Sequence, residues 1–578
     1  MKLFLSRLVL GLWVGLLASC STPASDTPPS TVRIRWDRDP ENLDPLVVSN
    51  KSAYEVSTLT YCSLLSGSEA DADFVPWLAE DFPTVERTAD SLLLVSYRLR
   101  PEARWDNGTP ILARDVAFTL KVMNCPGLPI EMDQAMFGFI QDIRLDSTDA
   151  RRFTLVCSGP SPDHIRESGD FSIFPEYVLD PRGELRTVQL ADLRRMPAPA
   201  AATAFAGRYQ ALELAKHPER LPGCGPYKVT TWQNGRYLTM ARKPHWWADT
   251  LPAPPPALQA FPDQLIYQII PDAATATLAL RRGEIDLYAL MPAAEFTRLQ
   301  QSAADREKLR FYTTNSYEFL AASFDVRQPV LRDARTRRAL SALFNIPALI
   351  AGTQQGNATP SVGLISPRLK AYYNDSLSIP AFSPAAAADL LRQAGWQRQP
   401  DGTWQRPAAA GGPPQKLQLG LSYRAGEAAF ETAALQFQAA ARALGIGVDL
   451  RPTEQSVLSG QLHKGETDLS IRTFTGNPFS FDFTPLLHTR GIGAGNTTGF
   501  SEPASDQLIE QIAAANEPAR KALLLRRFQR LLYQERPFTV LYFLRYRVAA
   551  AQRLGTVPVT GLKPGYEAAH IRPLAPKS

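Results

Sequence analysis

The sequence predicts an α/β protein with more than one sheet, and three stretches carry that prediction. Leu265-Ile266-Tyr267-Gln268-Ile269-Ile270 reads as a strand stopped by Pro271, Ala273 to Arg282 as a helix ended by Gly283, and Ile285 to Leu290 as the next strand. Further on, Leu417, Leu419 and Leu421 alternate with polar or small residues. Phe430, Ala433, Ala434, Phe437 and Ala441 then keep helical spacing ahead of a strand from Ile446 to Leu450. Strand, helix and strand in that order predict βαβ crossovers and largely parallel sheets. Between these units, Ser383-Pro384 opens a helix as N-cap and first helical residue, Leu390 and Leu391 face inward, and Gly395 closes it. A chain of 578 residues can build two or three hydrophobic cores, so it can also hold a wide cleft between lobes.

The N-terminus reads as an export signal. Lys2 and Arg7 form a short basic region, Leu8 to Leu17 is almost wholly apolar, and Ala18-Ser19 supplies small residues before Cys20. The apolar run is too short to span a bilayer comfortably, so residues 1–19 are expected to be removed. Leu17-Ala18-Ser19-Cys20 resembles the bacterial lipobox, which makes Cys20 the lipidated first residue of the mature chain; the alternative is a plain secretory signal with a chance cysteine. Residues 20–30 have the composition of a flexible tether. Together these features place the protein in the cell envelope, periplasmic or on an outer face and lipid-anchored, with the choice of membrane left open.

Composition narrows the function. Lys and Arg total 62 against 57 Asp and Glu, a formal charge of +5 that is too small and too evenly spread for a nucleic-acid binder. The cluster Arg335-Thr336-Arg337-Arg338 lies beside apolar residues at helical spacing and reads as a solvated helix face. Cys62, Cys125, Cys157 and Cys224 are even in number, which in an exported chain fits one or two structural disulfides of undetermined pairing. The six histidines are scattered singly, so neither a metal site nor a cofactor is expected. No GxSxG elbow, P-loop or zincin motif is present, and no spacing singles out two carboxylates as acid and base. The run Gly491 to Gly499 reads as a mobile surface or cleft-edge loop, with an anion-binding turn as the alternative. Pro-, Ala- and Gly-rich stretches at 197–203, 251–257 and 406–414 read as surface loops.

Several segments, taken in order, resemble the bacterial extracellular solute-binding proteins of family 5, the peptide-, dipeptide- and nickel-binding lipoproteins of ABC importers. Asn42-Leu43-Asp44-Pro45 is similar to the family's opening after its first strand. The stretch from Tyr97 to Val116, containing Arg104-Trp105-Asp106-Asn107-Gly108-Thr109-Pro110, follows the family signature with Asn107 where Asp is usual. Its physics is legible: an amphipathic strand, a turn on Asp106-Asn107-Gly108, then a helix carrying Val116, Phe118, Leu120 and Met123. Gly223-Cys224-Gly225-Pro226-Tyr227-Lys228-Val229 resembles another family segment, with Cys224 in place of Thr.

The resemblance implies a hinged, two-lobed periplasmic-binding-protein fold, with an extra α/β domain inserted in the N-terminal lobe. Lobe I is expected at 31–66, 219–318 and 526–574, the insert at 67–218 and lobe II at 319–525. It further implies a monomer that captures an oligopeptide or similar small solute and delivers it to ABC permease subunits, without enzymatic activity. Rival readings are a secreted hydrolase of such solutes and a surface sensor or presenting lipoprotein uncoupled from transport. Family ligand contacts map onto Ser49, Asn50 and Lys51, and onto Phe474, Asn477 and Asp482 in the segment Arg472 to Phe483. Lys51 reads equally as a partner for a ligand carboxylate or as a structural lysine. Relatives carry an aspartate for the ligand's α-amine in the second segment. Here no acid stands at that place, so either Asp482 substitutes or the ligand is not a free-amine peptide. Phe474, Phe479, Phe481 and Phe483 read as an aromatic cleft wall or, from the alternation of the last three, as sheet core.

Overall fold

A ten-stranded mixed sheet runs through the molecule. Its order is Gly447–Thr453, Gln418–Arg424, Leu469–Thr475, Leu309–Phe324, Phe538–Ala551, Leu287–Tyr288, Thr31–Trp36, Gln264–Ile269, Tyr237–Arg242 and Tyr227–Gln233. This computed structural model describes residues 30–48, 50–70, 73–89, 92–159, 161–407 and 412–574, so Ser49, Cys20 and the signal region lie outside the described residues.

Both predicted crossovers are present. Gln418–Arg424 and Gly447–Thr453 are parallel neighbours joined through the helix Ala428–Ala443. Gln264–Ile269 and Leu287–Tyr288 flank Thr31–Trp36, each parallel to it, so the helix Ala273–Arg282 carries the chain over one occupied position. The N-terminal strand fills that gap because Val32, Ile34 and Trp36 alternate into the core. The helix Pro384–Gln393 begins as expected: the Ser383 side chain accepts from the Ala386 N–H, and Gly395 takes a positive φ just past its end. Leu391 is buried and Leu390 half-buried.

Three large apolar clusters hold the sheet. One joins Ile34, Trp36 and Tyr267 to Val116, Phe153 and Phe205 of the segment 67–218. That segment carries a four-stranded antiparallel sheet, in the order Thr84–Arg87, Leu93–Arg98, Arg152–Cys157 and Ile140–Leu145. Its signature turn forms as read: the Asn107 side chain accepts from the Thr109 N–H and hydroxyl, and Gly108 takes φ +80°. The helix Ala113–Val122 then buries Val116, Phe118 and Leu120. The other two clusters lie on opposite faces of Leu309–Phe324: Leu320, Phe344, Trp396 and Phe437 on one, Phe319, Phe481 and Phe528 on the other.

Four expectations change. The loop expected at 197–203 ends at Pro199, because the alanines that follow start the helix Ala200–Gln210; alanine is the strongest helix former and Pro199 marks the boundary. Residues 496–498 of the glycine-rich run are buried, with the Asn496 amide donating to the His488 and Phe500 carbonyls, so that stretch is packed. The four cysteines are buried free thiols. The basic cluster is only partly solvated: Arg335 is exposed and pairs with Asp333, whereas Arg337 is 2% exposed.

Arg337 is buried because carbonyls need it. Its guanidinium donates to the oxygens of Leu331, Arg332 and Glu535, the last at the end of the helix Pro518–Glu535, where the helix dipole favours a cation. Burial lowers its pKa to about 10, which leaves it charged at neutral pH. Arg337→Ala would strand these carbonyls and is expected to cost about 3–5 kcal/mol in urea unfolding. Arg337→Lys should recover only part of this, since an ammonium cannot reproduce the planar fork. A wild-type unfolding midpoint for Arg337→Ala would refute the role.

Candidate functional site

Two strands cross the whole molecule. Leu309–Phe324 and Phe538–Ala551 pair antiparallel from Leu309 opposite Ala551 to Asn315 opposite Arg545, and again from Phe319 opposite Phe543 onward. On one side of the break their neighbour is Leu287–Tyr288; on the other it is Leu469–Thr475. At the break the Ser316 hydroxyl donates to the Leu544 carbonyl at 2.9 Å and accepts from the Glu318 N–H at 3.2 Å. A bulge is where a paired ribbon bends, so this is the natural hinge. Beside it lies a cavity of about 240 Å³ whose lining includes Asn315, Ser316, Thr359, Arg368, Lys370 and Phe543.

The two halves touch away from the hinge. Loop 476–483 reaches over so that the Phe479 ring packs on Phe74, centroids 5.1 Å apart, and lies against Gly67, where a Cβ would come within 2.8 Å of it. Burial raises the pKa of the Glu167 carboxyl, and the adjacent Ser480 side chain offsets part of that rise. Lys521 Nζ meets Asp163 Oδ1 at 2.7 Å with both side chains largely buried. Glu69 pairs with Arg368 at 2.5 Å and accepts from the Thr560 hydroxyl at 2.6 Å and from the Gly561 N–H. These contacts describe a closed arrangement.

Tyr54 and Asp170 are both exposed, and their side chains have no hydrogen-bond or ion-pair partner of their own among the described residues. Tyr54 keeps 48% of its surface, yet burial and then the charge of Asp170 push its phenol up to about 12. Asp170 is pushed up to about 7 by burial and then by Glu167, and no hydrogen bond or ion pair reaches its carboxylate among the described residues. Its neighbour Gly169 accepts from the Leu65 N–H at 2.9 Å, which seats Asp170 at one end of the hairpin Leu65–Ser68 and Asp73–Pro76; Glu69 and Arg368 stand at the other.

The residues singled out from sequence fall on both halves. Asn50 is engaged as the N-cap of the helix Lys51–Thr60, accepting from the Ala53 N–H at 3.0 Å and donating to the Asp39 and Pro40 carbonyls. Lys51 Nζ pairs with Asp37 at 3.0 Å. Burial opposes ionisation of Asp37, but Lys51 and Arg35 outweigh it and lower its pKa. Across the cleft, Phe474 stacks on Phe319 at 5.5 Å and meets Phe538 edge-on, within the core. Residues 476–483 are irregular, so the alternation of Phe479, Phe481 and Phe483 is not that of a strand. Phe481 and Phe483 pack into the core of their own half, and Phe479 packs against the other half. The exposed Asn477 accepts from the Phe479 N–H, and the exposed Asp482 accepts from the Thr484 N–H, both at 2.8 Å. Tyr54 and Asp170 at one end of the hairpin, and Glu69 and Arg368 at the other, carry no local signal in the sequence; only folding brings each pair together.

Comparison with known proteins follows this geometry. Residues 73–494 match the family described as bacterial extracellular solute-binding proteins, family 5 Middle. The chain is 26% identical to Protein XP55 of Streptomyces lividans over 57% of each chain. It is 22% identical to the glutathione-binding protein GsiB of Shigella flexneri serotype 5b (strain 8401), covering 92% of this chain and 91% of that one. The oligopeptide binding protein from Thermus thermophilus, solved with a pentapeptide, superposes with a TM-score of 0.72 at 19% identity, over 93% of this chain and 95% of the other. The fold is therefore the two-lobed type of the periplasmic binding proteins. No helix among the described residues is long and apolar enough to cross a membrane.

Two measurements check the site. Folded Asp170 holds its proton to about pH 7, whereas an unfolded aspartate releases it at about pH 4. The folded state therefore loses stability as pH rises through that window. Asp170→Asn is expected to flatten this part of the Tm–pH curve and to raise Tm at about pH 8; superimposable curves would rule the assignment out. Lys521→Ala removes a buried cross-cleft pair and should increase the radius of gyration of ligand-free protein in small-angle X-ray scattering. An unchanged value would mean that the pair does not hold the halves together.

Proposed function

Since this chain belongs to the bacterial extracellular solute-binding proteins of family 5, a family of periplasmic or extracellular binding proteins, we propose that it is the substrate-binding lipoprotein of an ABC importer. It captures an oligopeptide or similar small solute by hinge closure, delivers it to the permease subunits and performs no catalysis. The observation that carries this reading is the pair of crossing strands with a break at Ser316–Glu318, combined with side chains that meet only when the halves close. A solute that contacts both halves favours the closed form by its differential affinity, and a permease can then read that form.

The charges suit a zwitterion. Asp170 offers a carboxylate to an ammonium group, and Lys370 at the hinge cavity offers a cation to a carboxylate. Asn477 and Asp482 on the closing loop add polar contacts, as Ser49 does in this reading, while Asn50 and Lys51 hold the helix that carries Tyr54 and Phe474 backs the loop. In this reading lobe I comprises 31–66 and 219–318, the insert 67–218, and lobe II begins at 319. Lobe II ends at 525, and the chain returns to lobe I at 526–574. Residues 1–19 are the removed signal, and Cys20 carries the lipid ahead of a tether to residue 30.

The test is native mass spectrometry of the chain starting after Cys20, purified from a peptide-rich medium and then denatured. Recovery of about one equivalent of short peptides is expected, with tighter retention at about pH 8 than at about pH 6 as Asp170 ionises. An empty cleft, together with no rise in Tm on adding peptides, would end the peptide reading. Cys20→Ser should abolish incorporation of labelled fatty acid; retained label would refute the anchor.

A further inference from the structure

The chain leaves lobe I for the insert and returns from it through two stems that lie in contact. The outgoing stem is the end of the helix Lys51–Thr60 followed by Tyr61 and Cys62; the returning stem is 221–225, just before the strand Tyr227–Gln233. The Gly225 N–H donates to the Thr60 carbonyl at 2.8 Å, and the Tyr61 hydroxyl reaches the Leu221 carbonyl at 3.4 Å. Only glycine fits opposite: a Cβ on Gly223 would stand 1.9 Å from the Thr60 oxygen, and one on Gly225 2.5 Å from the Leu59 oxygen. Cys62 and Cys224 are 0% and 1% exposed within this contact, where burial and then the neighbouring Cys224 side chain raise the pKa of the Cys62 thiol.

Both cysteines are held by their backbones. The Cys224 carbonyl accepts from the indoles of Trp246 and Trp247 at 2.9 and 3.0 Å, and the Cys62 carbonyl accepts from the Ile173 N–H at 2.8 Å. Bringing the sulfurs together therefore demands little further ordering of the chain. The other two thiols are placed differently: Cys125 Sγ lies 3.4 Å from the Ala202 carbonyl, and Cys157 sits in the insert's sheet opposite Leu93 and Ile140.

We propose that Cys62 and Cys224 form a disulfide that closes the neck of the inserted domain, leaving Cys125 and Cys157 as thiols. The oxidant is a small-molecule or protein disulfide of an oxidising compartment, and that location rests on the export reading above. One cysteine thiolate attacks the oxidant's disulfide, forming a mixed disulfide and releasing one thiol; the second thiolate attacks the protein sulfur and releases the other thiol. Two electrons and two protons pass to the oxidant. The step belongs to folding, before the core covers both sulfurs. The bond ties the base of the insert to the helix carrying Tyr54, so that the insert moves with lobe I when the cleft opens, and it closes a long loop, the case in which chain entropy gives a crosslink most effect.

The test refolds reduced, denatured protein in a buffer of oxidised and reduced glutathione. Remaining thiols are then alkylated in denaturant, and the digest is mapped by mass spectrometry without reductant. The expected result is a peptide joining Cys62 to Cys224, with Cys125 and Cys157 alkylated. Reductant should also lower the Tm of the wild type by several degrees and leave Cys224→Thr unaffected. Four alkylated cysteines, or Cys62 joined to Cys125 or Cys157, would overturn the proposal. The same mapping on wild-type protein produced directly in an oxidising periplasm covers a chain that fails to refold, with the same two readings. Refolding needs no particular compartment, so its outcome judges the crosslink alone. A bond that forms in vitro but is absent when thiols are trapped in the native cells would count against export instead.

Discussion

Two adjacent strands serve both halves of this molecule, and everything else is arranged around that sharing. Leu309–Phe324 and Phe538–Ala551 give their first and last stretches to different neighbours and different cores. A continuous hydrogen-bonded ribbon keeps the halves from separating, while the break at Ser316 and Leu544 lets the ribbon bend with little loss of pairing. The long crossing also explains the ten-stranded sheet. Without it there would be two smaller sheets, each with an exposed edge to protect.

The contacts that join the halves away from the hinge are polar or small in area. Lys521 with Asp163, Arg368 with Glu69, and Phe479 against Gly67 and Phe74 are specific to one relative orientation. Buried ion pairs add little net stability because desolvation offsets their attraction. They discriminate strongly between geometries, however, since a displaced partner leaves an unpaired charge. That balance suits an interface that forms and parts, whereas the large apolar clusters lie within each half and stay intact.

Tyr54 and Asp170 share an environment in which burial raises the pKa of both groups and the charge of Asp170 adds to the rise at Tyr54. Asp482, the acid nearest the expected position on the closing loop, is used in part as a cap on the Thr484 N–H. The Asp170 carboxylate, on the insert side, has no hydrogen-bond or ion-pair partner among the described residues.

The sequence by itself determined what depends on neighbours along the chain. The helix caps at Ser383 and Gly283, the Asn107 turn and both βαβ units are local patterns of hydrogen bonding and hydrophobic period, and they appear where the periodicity places them. Tertiary structure decided what depends on residues far apart. Arg337 reads as a surface cation until carbonyls at Leu331 and Glu535 surround it. Asn50 and Lys51 map onto family ligand contacts, with Lys51 reading equally as structural, and only the fold shows their side chains engaging Asp37 and the Asp39 and Pro40 carbonyls. Glu69 and Arg368, like Tyr54 and Asp170, have no mutual spacing to detect, because each pair joins segments that are far apart along the chain and meet only in the fold. Hydrogen-bonded elements are specified within about ten residues; a binding surface is specified by which elements meet, and only the packed chain contains that information.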